Sequence, residues 1–226
     1  MTPTTVVKLG GNATLDCVPI VALMARDARI CVVHGGGPQI SALARERGVE
    51  PHFVGGRRVT DEPMLACVRE GLAAVSAELC TALSEAGLKP IAVRAGAVDV
   101  RRVPDLGLVG EPTGARVDKI RHALAGGRVP VVAPLGIDAG GTVLNVNADD
   151  AAAAIATALF ADELVFLSDV PGVLDEQGVV LSHISASQPP ASATGGMLPK
   201  LEACATALLG GVARVSIGVA GTVVTL

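Results

Sequence analysis

Short runs dominated by Val and Ile, most of them apolar at every position, alternate along this chain with longer Ala- and Leu-rich stretches. A strand that is apolar on both faces has to be covered on both sides, and strands separated by helices pair in parallel through crossover connections. The strand candidates are Thr5–Leu9, Arg29–His34, Pro90–Ala95, Val129–Ala133 and Glu163–Ser168. The helical candidates are Pro38–Arg47, Pro63–Ala86, Arg116–Leu124, Asp149–Phe160 and Pro199–Leu209. Pro38, Pro63 and Pro199 suit a first helical position, and Gly48, Gly87 and Gly210 suit a helix end. Two stretches break the alternation. EPHFVGGRRVT, around Gly55-Gly56, reads as a β-hairpin, and Asp99 to Asp118 reads as irregular. The expected class is therefore α/β with a mainly parallel central sheet. If the 226 residues divide into two lobes, Leu135–Asn145 is the joint.

Composition narrows the function. Half of the residues are hydrophobic and the formal charge is −4, with three Phe and neither Tyr nor Trp. A nucleic-acid surface needs basic runs and stacking rings, so no nucleic-acid partner is expected. The longest apolar run, 151 to 161, is well short of the roughly 20 residues of a membrane span. The start MTPTTVVKLGG lacks the basic and apolar regions of a signal peptide, so a cytoplasmic location without membrane contact is expected. Five Cys in apolar stretches, with no C-x-x-C pair, read as buried thiols.

Chemistry concentrates where strands end. Val6-Val7-Lys8-Leu9-Gly10-Gly11 places a lysine at the end of a strand fit for burial, followed by glycines that let backbone approach an anion. An edge strand with a snorkelling lysine would produce the same letters. Val32-Val33-His34-Gly35-Gly36-Gly37-Pro38 repeats the arrangement, and three glycines before a helix start make an anion-binding nest. Neither segment matches the P-loop or the dinucleotide fingerprint. In Asn145-Val146-Asn147-Ala148-Asp149-Asp150, Asn147 fits an N-cap, while Asn145 is left over to face a ligand. Asp169-Val170-Pro171-Gly172 is a polar turn closing a buried strand. Gly195-Gly196 precedes a helix carrying Lys200 at an end where an acid would suit the dipole better, so an anion is expected there. Arg57-Arg58 ends the hairpin, and a guanidinium fork reads carboxylates well. Glycine turns with two lysines and no nucleophilic triad suit phosphoryl transfer, which needs positioning and charge neutralisation.

Lys8-Leu9-Gly10-Gly11, His34-Gly35-Gly36-Gly37, Gly56-Arg57-Arg58-Val59-Thr60-Asp61, Asn145-Val146-Asn147-Ala148-Asp149, Ser168 to Leu174, and Gly195-Gly196-Met197 with Lys200 together resemble the acetylglutamate kinases of the amino-acid kinase superfamily. They occur in that family's order over nearly the whole chain. The resemblance implies a three-layer αβα sandwich. It also implies ATP- and Mg²⁺-dependent phosphorylation of the γ-carboxylate of N-acetyl-L-glutamate, the second step of arginine biosynthesis. An N-terminal lobe, 1–135, would bind the acyl substrate and dimerise, and a C-terminal lobe, 136–226, would bind ATP.

By position, Lys8 and Lys200 would stabilise the phosphoryl group in flight and Asp149 would hold the lysines. Gly10 and Gly11 would bind phosphate through backbone N–H groups. Gly36, Gly37, Arg58 and Asn145 would bind the acyl substrate. Asp169, Val170, Pro171, Gly172, Val173, Leu174, Ser192, Ala193 and Thr194 would lie against the nucleotide. No protein-held metal site is implied.

Two rival readings stand beside this one: a kinase of carrier-bound α-aminoadipate in lysine biosynthesis, and a non-catalytic sensor on the same fold. The stripe Met64, Leu65, Val68, Leu72, Val75, Leu79 and Leu83 has more apolar positions than one sheet face requires, so a homodimer through that helix is expected. Four residues precede the first strand where arginine-inhibited relatives carry a helix, and insensitivity to arginine is expected from that.

Overall fold

The structure is a computed structural model that describes residues 2–10, 14–167, 170–193, 195–219 and 221–226. In chain order the elements are β1 (Thr4–Leu9), α1 (Val18–Met24), β2 (Arg29–His34), α2 (Gly37–Glu46), β3 (Phe53–Val54), β4 (Arg57–Arg58), α3 (Glu62–Glu85), β5 (Pro90–Val93), β6 (Val98–Arg102) and β7 (Val109–Ala115). There follow α4 (Asp118–Ala125), β8 (Val129–Val132), β9 (Leu135–Ile137), β10 (Val143–Val146), α5 (Ala148–Leu159), β11 (Glu163–Leu167), β12 (His183–Ser185), α6 (Met197–Leu209), β13 (Arg214–Ile217) and β14 (Thr222–Thr225).

Eight strands form the central sheet in the order β12-β14-β13-β11-β1-β2-β8-β5. Every pairing in it is parallel except β13 with β14. Alternation along β1 divides the core. Val7 and Leu9 pack with Val32, Val131 and Val165 beneath α1 and α3. Val6 faces the other way, with Cys31, Val33 and the apolar sides of α4, α5 and α6. Helices on both faces of one sheet make the expected three-layer sandwich. Lys8 shares the parity of Val6, and it is held among the α5 and α6 side chains.

The stretch expected to be irregular, Asp99 to Asp118, is instead ordered. β6 and β7 pair antiparallel, with a register shift between Asp99 and Val100. The expected joint, Leu135–Asn145, is also regular, since it contains β9 and most of β10, an antiparallel pair. Together β6, β7, β9 and β10 close into a small barrel. The short strands with a bulge and many Gly and Pro hid this barrel from pattern reading.

The three helix-start prolines sit second or third in their helices rather than first. The cost is nil, because the first four N–H groups of a helix have no partner within it. Gly48 and Gly87 follow α2 and α3 with positive φ, but after α6 that conformation belongs to Gly211 rather than Gly210. The hairpin occurs as expected, with Gly55 and Gly56 both at positive φ, as its tight turn requires.

The stripe expected to face a second copy has an explanation inside one protomer. All seven of its apolar residues are buried within a single chain, against the sheet on one flank and against Ile40 and Ala44 of α2 on another. The stripe is therefore consumed inside the protomer, and it calls for no second copy.

Candidate active site

The site lies where parallel strands end, as open α/β sheets dictate. β1 runs into Gly10, β2 runs into Gly35-Gly36-Gly37, and α5 and α6 present their first turns from above. Asn147 caps α5, its Oδ1 accepting from the N–H groups of Asp149 at 2.7 Å and Asp150 at 3.3 Å. That cap fixes where Asp149 points. Its Oδ1 lies 2.7 Å from Lys8 Nζ and its Oδ2 3.1 Å from Lys200 Nζ. All three residues are 8% exposed.

Two ammoniums on one carboxylate leave a formal charge of +1 in a buried place. Buried charge of this kind is costly unless something answers it, so the site is electrostatically ready for an anion. Burial pushes the Asp149 carboxyl up, and the two ammoniums pull it further down, leaving it below the ordinary carboxylate value. Phe166, next to Lys8 in the sheet register, lies under Lys200 with Nζ 5.1 Å from the ring centre, a favourable seat for a cation.

Beside this cluster opens a cavity of about 250 Å³, lined among others by Lys8, Gly36, Gly37, Arg58, Asn145 and Asp149. Arg58 donates from Nη2 to Gly37 O at 3.0 Å and Ser41 Oγ at 2.9 Å, with its guanidinium 4.7 Å from the centre of the Phe53 ring. Its Nη1 is buried with no hydrogen-bond partner among the described residues. An unpaired buried guanidinium N–H costs free energy until an acceptor arrives, and burial with nearby Arg45 already lowers this group's pKa. Asn145 is held by its amide, Nδ2 donating to Thr60 Oγ1 at 3.1 Å.

Gly10 has a different job from the one expected. Its N–H donates to Leu167 O at 3.1 Å, so it is not turned toward a phosphate. What Gly10 supplies is room: a Cβ there would collide with Lys8 Nζ. Gly36 and Gly37 do line the cavity and open α2.

His34, which sequence reading left without a role, braces this loop from below. Its Nδ1 and Nε2 lie 2.8 Å from Gly35 O and 2.6 Å from Ser76 Oγ on α3. Burial lowers its pKa, against the pull of the bond to Gly35, so the ring is neutral and bridges the loop to the long helix. A strand-end His before three glycines was the only signal.

The expected nucleotide residues that are described lie away from that cavity. Ser192 Oγ donates to Leu174 O at 2.6 Å, and the Val173 N–H donates to Thr222 Oγ1 at 3.0 Å. Val170, Pro171 and Gly172 adjoin them, with Gly172 too close to Thr222 and Val180 to carry a side chain. Ala193 is buried. Gly11, Asp169 and Thr194 lie outside the described residues. Cys31 and Cys204 are pushed up to about 12 by burial, and so are not nucleophiles.

Residues 3–218 match the model of the amino acid kinase family. The chain belongs to the amino acid kinase family. It is 40% identical to an acetylglutamate kinase from Methanopyrus kandleri, with 91% of each chain covered. It is 38% identical to one from Koribacter versatilis, covering 94% of this chain and 88% of that one. Among solved structures it resembles smu.665 from Streptococcus mutans UA159 with a TM-score of 0.91 at 32% identity, covering 100% of this chain and 99% of that one. The two acetylglutamate kinases agree with the kinase reading of the residues. Among the described residues no helix is long and apolar enough to cross a membrane.

Proposed function

We propose that this enzyme transfers the γ-phosphoryl group of ATP to the side-chain carboxylate of N-acetyl-L-glutamate, a step of arginine biosynthesis. The observation that carries the reading is the cationic cluster Lys8–Asp149–Lys200 set beside a cavity whose own guanidinium N–H is unpaired. An acid with two carboxylates needs both features: one anion to be recognised, the other to react.

The γ-carboxylate, with an ordinary pKa near 4.3, is already ionised at neutral pH, so no general base is needed. Arg58 Nη1 donates to the α-carboxylate, and Asn145 and the loop at Gly36 and Gly37 position the rest. One carboxylate oxygen then forms a bond to the γ-phosphorus as the bond to the bridging oxygen of ADP breaks. Lys8 and Lys200 stand where charge accumulates on the group in flight, and Asp149 fixes both ammoniums in advance, so little reorganisation is required. The nucleotide is assigned to Val170–Leu174, Ser192 and Ala193 at the end of β11, with Asp169 and Thr194, and so to the 136–226 half. The acyl substrate belongs to the 1–135 half.

Mg²⁺ is expected to arrive with ATP, but the residues present do not form a cage for it. Among the described residues no three His, Cys, Asp or Glu are placed to hold a metal ion together, and both Asp149 oxygens are taken by ammoniums. An ion carried largely by the phosphates needs no such cage. A cytoplasmic homodimer fits the family resemblance and remains part of the proposal.

Hydroxylamine trapping of the acyl phosphate tests the reading. N-acetylglutamate with ATP should give product. A product formed only from carrier-bound α-aminoadipate, or silence with every acid, would replace it with one of the two rival readings.

A further inference from the structure

Arg57 and Asp150 stand outside the machinery described above, yet they join its parts. Successive strand residues point to opposite sides. While Arg58 turns toward α2, Arg57 reaches α5 and donates from Nη2 to Asp150 Oδ2 at 3.2 Å. The pair connects positions 93 residues apart. It ties the acyl-side hairpin to the helical turn that carries Asp149.

The base of the hairpin is tied at Thr60, whose N–H donates to Leu106 O at 3.0 Å and whose carbonyl accepts from the Leu108 N–H at 2.6 Å, but its strands need a further tie. They have two residues each and among the described residues pair with one another alone, and Phe53 and Val54 are more than half exposed. An isolated two-stranded ribbon is at best marginally stable. On the α2 side the anchor is Arg58 itself, the residue whose seat has to stay fixed while substrate binds and leaves. On the α5 side the anchor is Arg57. It lines the acyl cavity and also a second cavity of about 440 Å³ between β7, α5 and α6, and so forms part of the wall between them.

We propose that the Arg57–Asp150 ion pair is a latch that holds the hairpin over the acyl cavity and thereby positions Arg58 for the substrate carboxylate. Asp150 is a positioning residue, acting through Arg57 without touching substrate. The proposal rests on the acyl-kinase reading of that cavity and adds to it the element that sets acyl affinity.

Asp150 also makes the latch sensitive to pH. Arg57 of β4, Glu111 of β7, Glu202 of α6 and Asp149 of its own helix all act on it. Burial raises the carboxyl most, Arg57 lowers it, and the three carboxylates raise it again, so it stands at about 6. Above that pH the latch has its anion, and below it the anion is lost. The substrate's own carboxylates, with ordinary values near 4, stay ionised throughout this window.

The test is steady-state kinetics with ATP and N-acetylglutamate between pH 5.5 and 8 on the wild type, Arg57→Ala, Asp150→Asn and the double variant. At pH 7.5 each single substitution should raise KM for the acyl substrate about threefold to tenfold with kcat within about twofold. The double variant should be no worse than either single, because both break one interaction. The wild-type KM should climb as pH falls through about 6, and that of Asp150→Asn should not. Arg57→Lys, which keeps the charge and loses the fork, serves as a second probe should Asp150→Asn fold poorly, and it should lie between wild type and Arg57→Ala. Unchanged KM in both single variants, multiplicative effects in the double, or the same pH rise in Asp150→Asn would each overturn the latch. A wild type that makes no acyl phosphate at any pH would overturn the underlying kinase reading instead, a result distinguishable at once from an active enzyme indifferent to these substitutions.

Discussion

Asp149 and Asp150 are neighbours in one helical turn, share the Asn147 cap and are both largely withdrawn from water, yet their carboxyls move in opposite directions. Asp149 meets two ammoniums, at 2.7 and 3.1 Å, and ends below the ordinary value. Asp150 meets one guanidinium at 3.2 Å and the fields of three carboxylates, and ends at about 6. Burial and the positive end of the helix act on both, so neither explains the difference. What decides it is the count of cations against anions at short range. The same turn thereby builds a permanently charged centre on one side and a titratable tie on the other.

The largest effect is expected at Asp149. Asp149→Asn leaves two buried ammoniums facing one another without their carboxylate, a loss of roughly 3–5 kcal/mol for a pair of this kind. For a chain of this size the melting temperature should fall by roughly 6 °C or more. Because the folded carboxyl sits below its unfolded value, its contribution is fully present above about pH 4. That contribution is lost as pH falls through the lowered folded value. Melting curves from pH 3 to 7 should therefore converge for wild type and Asp149→Asn only at the acid end.

Next come the ammoniums themselves. Lys8→Ala and Lys200→Ala should each reduce kcat about 10²–10³-fold with little change in KM for the acyl substrate, since a preorganised charge acts on the group being transferred. Gly10→Ala should lower kcat in the same direction but by less, because its Cβ would crowd Lys8 Nζ, the movable end of a flexible side chain. A Lys8→Ala enzyme that retained most of its kcat would remove Lys8 from the chemistry.

The smaller effect of Arg58→Lys separates recognition from reaction. An ammonium cannot both hold Gly37 O and Ser41 Oγ and present a further N–H to a carboxylate. KM should rise about tenfold, and kcat should hold. An unchanged KM would leave the buried, unpaired Nη1 without a purpose.

How much of this was legible beforehand follows from the kind of signal. Five of the sheet's eight strands were readable because continuously apolar runs between helices mean one thing, whereas β12, β13 and β14, short and carrying polar residues, were not among the strand candidates; Lys8 stood out because a lysine in such a strand needs a reason. The Asn147 cap was readable from local chemistry alone. The barrel of β6, β7, β9 and β10 was not, because its short strands are stitched across 98 to 146 by long-range pairing and interrupted by Gly, Pro and a register shift. The α3 stripe misled because a helix flanked by both a sheet and α2 consumes apolar positions on two sides. Pattern reading counts such positions and cannot see what covers them. The role of Gly10 depended on where Lys8 Nζ comes to rest, a tertiary fact. Arg57–Asp150 was hidden for the same reason, with each residue looking like ordinary surface or cap chemistry.

Asp150→Asn gives the smallest shift and the sharpest contrast, because its sign should be opposite to that of Asp149→Asn. An ordinary aspartate lies near 3.9, and in the folded protein Asp150 stands at about 6. Between those values the folded state holds more protons than the unfolded one, so stability declines as pH rises from about 4, and the whole cost is present above about 6. That cost is at most roughly 3 kcal/mol. Partial exposure and the imperfect mimicry of a protonated acid by an amide reduce the expected gain of Asp150→Asn to about 1 kcal/mol. The variant should therefore melt about 2–4 °C above wild type at pH 7.5, and the difference should shrink toward pH 5. A gain in stability together with a weakened KM would show an ionised Asp150 kept at the expense of the fold because it seats Arg57. A loss of stability at pH 7.5 would mean that Arg57 outweighs the burial and the three neighbouring carboxylates, and the contrast drawn between the two aspartates would then be one of degree rather than of sign.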